Sequence, residues 1–274
     1  MRPGTKKLKL DLATILGLTL AVGGILGGLI LEKGNIRDVA QLTAAMIVLG
    51  GTAGAVLVTT PISVLKSALP QMKLVFFEPP QNQAKLIDDL IAYATKARKN
   101  GIVSLESDAY AIKDQFLQKA LHLAIDGTDF EQLKSMMELD IDLAEHHAEQ
   151  SAAILESGGG YAPTIGIIGA VLGLIQVMKN LANIEEVGHG IAVAFVATVY
   201  GVGLANVFLL PAAAKVKNRA RADRLMRELT LLGILGILEG LNPKMLRNKL
   251  NSYLAHTVTQ TPTAKGSGRP ARAA

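Results

Sequence analysis

The chain has 274 residues, of which 50% are hydrophobic and only 19% are charged, whereas soluble domains carry about 25% charged residues. This composition argues against a water-soluble globule and against a disordered chain, and the lack of cysteine excludes disulfides, thiolate metal sites and cysteine nucleophiles. The net charge of +5 is typical of a membrane protein with basic cytoplasmic loops and gives no reason to expect nucleic-acid binding.

Four apolar stretches are long enough to cross a bilayer, which takes about 20 residues. They are called spans one to four in chain order. Only span three contains a charged residue, Lys179, which lies near its end, where the lysine side chain can reach the membrane interface. Span one lacks a signal-peptide cleavage site and is followed closely by span two. Buried helices of a soluble protein are the alternative, although uncharged runs of this length are rare there. The spans are Leu12–Leu31, Val39–Thr60, Tyr161–Leu181 and Gly190–Leu210.

The distribution of Lys and Arg predicts the orientation. The first ten residues hold four basic residues, and six more follow span four between Lys215 and Arg227. The short linkers after spans one and three are mixed in sign or acidic. The positive-inside rule therefore predicts that both termini and the long middle loop are cytoplasmic. A multi-pass protein of the bacterial cytoplasmic (inner) membrane is expected.

The predicted fold is an all-α membrane protein with four transmembrane helices and a helical cytoplasmic domain between the second and third. Residues 1–60 form an N-terminal cytoplasmic segment with the first two helices, and residues 61–160 form the cytoplasmic domain. The third and fourth helices occupy 161–211. Cytoplasmic helices follow at 212–256, and a tail at 257–274 has a composition typical of disorder.

Patterns inside the cytoplasmic block predict three helices. Pro79-Pro80 interrupts the chain, and apolar spacing predicts a helix over Gln83–Lys99. Ser104 is expected to cap a second helix that Gly127 ends, and Thr128–Glu131 reads as a capping box for a third helix towards Leu155. Gly158-Gly159-Gly160 is interpreted as a flexible hinge before span three. Two further helices are expected over 223–238 and 243–254.

Catalytic templates are missing from the sequence. It contains no P-loop, G-x-S-x-G or H-E-x-x-H pattern. Asp142 and His146 are four residues apart on one helical face, so a metal site is conceivable. A solvated helix surface is the preferred interpretation, and neither an enzyme activity nor a resident cofactor or metal is expected.

The four spans contain no carboxylate, although ion carriers normally place a titratable group in the membrane. Either the chain moves no ions or a partner supplies that group. Small residues recur at four-residue spacing, which lets helices approach closely. The polar candidates that the spans can offer to an ion are small: Thr164, Thr198 and Asn206. The hydroxyl of Thr198 could face a passing ion or bond back to its own helix.

Several strings resemble the MotA/PomA family of flagellar motor stators. The similarity covers nearly all of residues 10–255 in order and spacing. Two spans precede the cytoplasmic block, whereas the related TolQ/ExbB proteins have one, which favours the flagellar branch. The strings are Asp11-Leu-Ala-Thr-Ile-Leu-Gly17, Ala97-Arg-Lys-Asn-Gly-Ile-Val-Ser-Leu-Glu106, Ala162-Pro-Thr-Ile-Gly-Ile-Ile-Gly-Ala-Val-Leu-Gly173, Ala197-Thr-Val-Tyr-Gly201 and Leu241-Asn-Pro-Lys244.

The resemblance implies a pentameric ring of this chain, embedded in membrane lipid, around two copies of a MotB-type partner. That partner brings a membrane aspartate that binds the ion and a peptidoglycan-binding domain that holds the unit still. Ion flow then drives rotation, and the cytoplasmic block acts on a FliG-type rotor protein. The ion is expected to be H+, with Na+ as the alternative.

Residue roles follow from the same resemblance. Arg98, Lys99 and Glu106 match charged residues that face the rotor, although helix-dipole effects alone would favour those charges at those positions. Pro163 and Pro211 match prolines tied to coupling, and their plainer role is to mark a helix boundary or kink. The ion pathway is expected to include Thr198, Ala170 and Pro163.

Ala170 bears on the choice of ion. Sodium-type relatives carry Thr at this position, which gives an extra oxygen ligand, so Ala170 favours protons. The alternatives that remain are an ion-driven motor for envelope transport or gliding, and a membrane transporter or enzyme. The lack of a catalytic set argues against an enzyme, and the lack of an intramembrane charge argues against a self-sufficient transporter.

Overall fold

The computed structural model describes residues 9–73, 75–78, 82–179 and 181–260, without the side chains of Lys9 and of residues 256–260. Four of its helices are long and apolar enough to cross a membrane: Leu12–Leu31, Ile36–Thr59, Phe130–Lys179 and Ile184–Leu238. In the described ranges the strands are two residues long, β1 (Lys9–Leu10) and β2 (Phe77–Glu78), and they pair antiparallel. The fold is therefore all-α with four membrane helices, as the composition predicts.

The described chain divides into two compact units. The first comprises residues 1–80 and 142–223, and the second comprises residues 81–141 and 224–274, as far as these are described. The first unit contains the four spans, and the second contains most of the polar block between spans two and three.

Helix α1 (Leu12–Leu31) begins at Asp11, whose side chain caps it by accepting a hydrogen bond from the amide of Thr14. None of its residues is buried in the protomer, which is expected of a helix that faces lipid or another chain. The second span is interrupted. It consists of α2 (Ile36–Val39), α3 (Leu42–Ala45), a π-helical turn (Met46–Gly50) and α4 (Gly51–Thr59). Helix α5 (Ile62–Lys73) follows after two residues.

The third and fourth spans are parts of two long helical runs. Span three lies in α9 (Phe130–Lys179), and span four comprises α10 (Ile184–Gly203) and a second π-helical turn (Leu204–Leu209) that continues into α11 (Leu210–Leu238). Leu210 donates its amide hydrogen to the carbonyl of Ala205, an i to i+5 bond. Pro211 has no amide hydrogen to offer the carbonyl four residues earlier, which accounts for the wider turn at this point.

The second unit is a small helical domain. It contains α6 (Gln83–Asn100), a 3₁₀ turn (Ile102–Leu105), α7 (Glu106–Ala111), α8 (Gln115–Ile125) and α12 (Pro243–Gln260), with the ends of α9 and α11. Its core is aliphatic, and the largest fully buried side chains are Leu90, Leu105, Leu121, Leu133, Met137, Leu229, Ile234, Leu246 and Leu250.

The structure corrects the predicted glycine hinge. Gly158-Gly159-Gly160 lies inside the continuous helix α9. A Cβ atom added at Gly159 would lie 2.6 Å from Cδ2 of Leu210. A side chain at position 159 would collide with the neighbouring helix, which explains the glycine there. The prediction of a flexible hinge is therefore wrong.

Three local predictions also differ from the structure. The second predicted helix is split, because α7 ends at Ala111 and α8 begins at Gln115. Ser104 does not cap a helix, since its hydroxyl donates to the carbonyl of Gly101 over 2.6 Å. Asp129, not Thr128, accepts the bond from the amide of Glu131.

Helix bounds near the C-terminus are wider than predicted. Helix α11 extends the expected 223–238 helix back to Leu210. Helix α12 reaches Gln260, so the first four residues of the predicted disordered tail are helical. The rest of that tail and the Pro79-Pro80 interruption lie outside the described residues. The predicted domain boundaries stay predictions.

Candidate ion path and coupling residues

Helices α9 and α10 pack along a seam of small residues. A Cβ atom added at Gly201 would lie 2.5 Å from the carbonyl oxygen of Ala162, and one added at Gly166 would lie 2.8 Å from that of Ala197. Further along, an added Cβ at Gly173 would lie 2.8 Å from the carbonyl oxygen of Gly190. Only hydrogen fits at these glycine positions, so the two backbones are in direct contact.

Pro163, Ala170 and Thr198 lie beside this seam. Pro163 and Ala170 are seven residues apart, so they share a face of α9 and flank Gly166 at spacings of three and four. A Cβ at Gly166 would lie 3.4 Å from Cα of Thr198, which places Thr198 on the opposite side of the seam. All three side chains are half-buried. The structure therefore brings the three predicted ion-path residues to one helix pair.

The hydroxyl of Thr198 donates to the carbonyl of Ala194 over 3.3 Å. This is the bond back to its own helix that the sequence left open. The bond uses the hydroxyl hydrogen and leaves both oxygen lone pairs, because a hydroxyl is one donor and two acceptors. The oxygen of Thr198 can therefore accept a hydrogen bond or face a cation while its rotamer is held.

Thr164 and Asn206, the other two small polar side chains considered for the ion path, are exposed. The hydroxyl of Thr164 donates to the carbonyl of Tyr161 over 2.8 Å, and the amide of Asn206 donates to the carbonyl of Val202 over 3.0 Å. These bonds within one helix satisfy the donors without linking the two helices.

The two prolines occupy different backbone settings. Pro163 is inside α9, where its missing amide hydrogen leaves the carbonyl of Gly159 without its usual helical partner. Pro211 is the second residue of α11 and lies two residues after the end of the π-helical turn at Leu209. Both positions interrupt the regular hydrogen bonding of a helix, and both lie in the first unit.

Arg98, Lys99 and Glu106 lie on either side of one turn in the second unit. The first two lie in the last turn of α6 and Glu106 begins α7, and all three side chains are exposed. Within the described residues, none of the three forms an ion pair. Nearby, Nζ of Lys96 lies 2.6 Å from Oδ2 of Asp108, and this pair joins the two helices.

A shallow pocket next to Arg98 was not evident from the sequence. It holds about 190 Å³ and is lined mainly by apolar side chains. Part of the pocket wall is the turn after α11, more than 130 residues from Arg98 in the sequence. The only sequence signal for the pocket was the aliphatic composition of the two segments. Besides Arg98, its lining includes Ala94, Ala97, Ile102, Leu238 and Leu241.

A buried charge cluster around Asp11 was also not predicted from the sequence. Asp11 is 7% exposed, and its carboxylate accepts hydrogen bonds from Lys215 and Arg219 and, over 3.0 Å, from the amide of Thr14. The hydrogen bond from Lys215 is the main cause that lowers the pKa of Asp11 from 3.8 to about 2.

Backbone contacts extend this cluster to the segment after α5. The amide of Asp11 donates to the carbonyl of Phe76 over 2.9 Å, and the hydroxyl of Thr14 donates to that of Val75 over 3.1 Å. Arg219 donates to the carbonyl of Phe77. Asp11 therefore joins the start of α1 to the residue before β2 and to α11. In the sequence, the basic residues were noted only for orientation.

Tyr200 closes the break in span two. Its hydroxyl donates to the carbonyl of Val39 and accepts from the amide of Gln41 over 3.4 Å. These backbone groups flank the point where α2 ends and α3 begins, and a polar backbone group at membrane depth needs a partner. The motif string containing Tyr200 was recognised, but this contact was not.

Comparison with known proteins agrees with this arrangement. Residues 15–101 match the family model described as Motility protein A N-terminal, and residues 108–229 match the MotA/TolQ/ExbB proton channel family. Motility protein A of Helicobacter pylori is 39% identical over 90% of this chain and 96% of its own length. The chain belongs to the MotA family of motility proteins.

Solved structures of the family have the same fold. A chain of the C. jejuni MotAB structure is 36% identical, with a TM-score of 0.86 over 90% of this chain and 97% of its own. A chain of the flagellar MotAB stator complex from Bacillus subtilis is 32% identical, with a TM-score of 0.83 over 92% of this chain and all of its own.

Membership of the MotA family defines the function of the chain. It is a flagellar motor stator subunit in a membrane and an ion channel component, and it is not an enzyme. The match to the N-terminal motility model separates it from the envelope-transport branch that the sequence left open.

Proposed function

We propose that this chain conducts protons together with a MotB-type partner and converts proton flow into torque on a FliG-type rotor. The observation that carries the proposal is the α9–α10 seam, which holds Thr198 beside a close helix contact in spans that contain no carboxylate. A partner must then bring the titratable group, and the two solved relatives are MotAB complexes.

The proton is proposed as the ion because of the groups beside the seam. Sodium needs several oxygen ligands, whereas a proton needs only one carboxylate to carry it. Ala170 offers a methyl group, and Thr198 offers one oxygen. A single hydroxyl can orient the partner's aspartate or a water, but it is a poor replacement for the hydration shell of Na+.

Assembly is proposed as a pentameric ring in the inner membrane around two partner copies that bind peptidoglycan. Helix α1 supports an assembly in lipid, because it contains no charged residue and has no buried residue within the protomer. Both termini and the second unit are proposed to lie in the cytoplasm, because positive charge precedes span one and follows span four.

Arg98, Lys99 and Glu106 are proposed to contact the rotor. Their charges are exposed and unpaired within the described residues, while Lys96 and Asp108 next to them are paired internally. The internal pair holds α6 against α7 and leaves the three outer charges available to a partner. Pro163 and Pro211 are proposed to be the points where the helices change shape during coupling, since regular helix hydrogen bonding is already interrupted there.

Charge reversal tests the rotor contact. Arg98→Glu combined with Glu106→Lys should reduce swimming speed to below half, because both charges would repel the surface they now attract. The matched control is Lys85→Glu with Glu131→Lys, an exposed pair of opposite charges in the same unit, which should swim normally.

Native mass spectrometry of the complex co-expressed with the MotB-type partner gives the second readout. The Arg98 and Glu106 variant should retain the partner in the same ratio as the unmodified chain, so that its defect lies in the rotor contact. Normal swimming by this variant would refute the rotor contact, and loss of the partner would show that the charges act in assembly instead.

A further inference from the structure

Helix α5 begins two residues after the end of span two, at a point where the chain leaves the apolar helix. Its face with Ile62, Lys66, Leu69 and Lys73 follows the spacing i, i+4, i+7 and i+11, which is one stripe along a helix. Away from this stripe, Ala68 is buried, with 1% of its surface exposed. The stripe itself is uncovered, with Ile62 65% exposed and Leu69 54% exposed.

The two lysines of this stripe have no ion-pair partner within the described residues. Helix α5 contains no Asp or Glu, and both lysine side chains are exposed. The stripe therefore alternates large apolar groups with free positive charges on one face. A helix surface in water would normally place these two kinds of residue on opposite faces.

We propose that α5 lies in the membrane interface, where Ile62 and Leu69 enter the acyl region and Lys66 and Lys73 bind the phosphates of anionic phospholipids. The spacing suits this occupant, because long lysine side chains extend from an apolar stripe to the headgroup level. The position also suits it, because only Thr60 and Pro61 separate α5 from the membrane helix α4.

The charge of the stripe selects the headgroup. Two unpaired ammonium groups attract anionic lipids, and each lysine near such a surface favours them about fivefold. The bond to lipid would fix the end of span two at the membrane surface, close in sequence to Val75 and Phe76, which contact the cluster at Asp11. The inference is independent of the transported ion and of the rotor contact.

A fluorescent label gives the first test, since the chain contains no cysteine or tryptophan. The full chain carrying Leu69→Cys is labelled and reconstituted in vesicles of phosphatidylcholine with phosphatidylglycerol and a lipid with a nitroxide headgroup. The matched control is Ser67→Cys, which lies on the other side of the same helix. The label at Leu69 should be quenched by the nitroxide lipid at least threefold more strongly than the label at Ser67.

Lipid retention gives the second test. Native mass spectrometry of the detergent-purified chain should show at least a fivefold loss of bound phosphatidylglycerol in the variant Lys66→Gln with Lys73→Gln. The control variant, Lys85→Gln with Lys244→Gln, changes two exposed lysines outside α5 and should retain the lipid.

Three results would overturn the proposal. When a water-soluble quencher is added to the same vesicles, a Leu69 label that it reaches and that the nitroxide lipid does not reach would place the helix in water. A Leu69 label shielded from both quenchers would place it under another protein chain. Unchanged phosphatidylglycerol retention in the Lys66 and Lys73 variant would remove the lysines as its binding groups.

Discussion

Replacing Asp11 by Asn should loosen the contact between the start of α1 and α11. The substitution keeps the size of the side chain and its ability to cap α1, but it removes the negative charge that Lys215 and Arg219 share. Two cations, each less than a third exposed, would then face one another without a counter-charge. The loss is therefore electrostatic, and the packing of the site is kept.

The pKa of Asp11 sets the magnitude. A folded-state pKa of about 2 against the ordinary value of 3.8 corresponds to about 2 kcal/mol of stabilisation when the group is ionised. Because the folded-state pKa is the lower one, this stabilisation is present above about pH 4 and is lost as the pH falls towards 2. A loss of about 2 kcal/mol corresponds to a fall in melting temperature of roughly 4–8 °C for a unit of this size.

Thermal unfolding in detergent, followed by circular dichroism at 222 nm, measures this effect. The matched control is Glu156→Gln, which breaks the more exposed pair between Lys217 and Glu156 in the same unit and should cost under about 1 kcal/mol. At pH 7 the Asp11 variant should melt several degrees below the control. A melting temperature equal to that of the control would refute the reasoning, as would a wild-type cluster that weakens between pH 5 and 7.

Two further substitutions test the membrane contacts. Gly166→Ala would place a Cβ 2.8 Å from a backbone oxygen and should lower stability by about 1–3 kcal/mol in the same melting assay. The control Gly17→Ala, whose Cβ would meet nothing within 4 Å, should not lower it. Equal effects of the two substitutions would contradict the close contact between α9 and α10. Tyr200→Phe removes the hydroxyl that bonds Val39 and Gln41 and leaves the amide of Gln41 with the carbonyl of Val39, 3.1 Å away, as its acceptor. The variant should therefore lose about 1 kcal/mol in the same melting assay, and an unchanged melting temperature would show that the hydroxyl does not stabilise the break.

The number and type of the membrane helices could be predicted from the sequence because they depend on local composition. Twenty consecutive residues without a charge define span one, and α1 has the predicted bounds, Leu12–Leu31. The position of span two was predicted correctly, but the interruption of its helix after Val39 was not predicted. At the break the carbonyl of Val39 accepts a hydrogen bond from Tyr200, which lies about 160 residues away in the sequence.

The glycine triplet illustrates the opposite error. Glycine lowers helix propensity by about 1 kcal/mol relative to alanine, so three in a row predicted a hinge. In the structure, Gly159 meets the side chain of Leu210, and the close packing outweighs the local preference. Propensity alone could not reveal a neighbour that is about 50 residues further along the chain.

The candidate site was predicted in part. Thr198, Ala170 and Pro163 lie at one helix pair, and Arg98, Lys99 and Glu106 lie at one turn, but their roles came from the resemblance and stay proposals. The cluster at Asp11 was invisible because its members are separated by about 200 residues and each has an ordinary local role. Asp11 reads as a helix cap, and the lysine and arginine read as an orientation signal.

Proton uptake by sealed vesicles tests the central claim most directly. Vesicles that contain this chain with a MotB-type partner should take up protons when a membrane potential is applied, and vesicles that contain this chain alone should not. Replacing the partner's membrane aspartate by Asn should abolish the uptake, and Thr198→Val should reduce it. Proton uptake by the chain without its partner, or uptake that survives loss of the aspartate, would contradict the account.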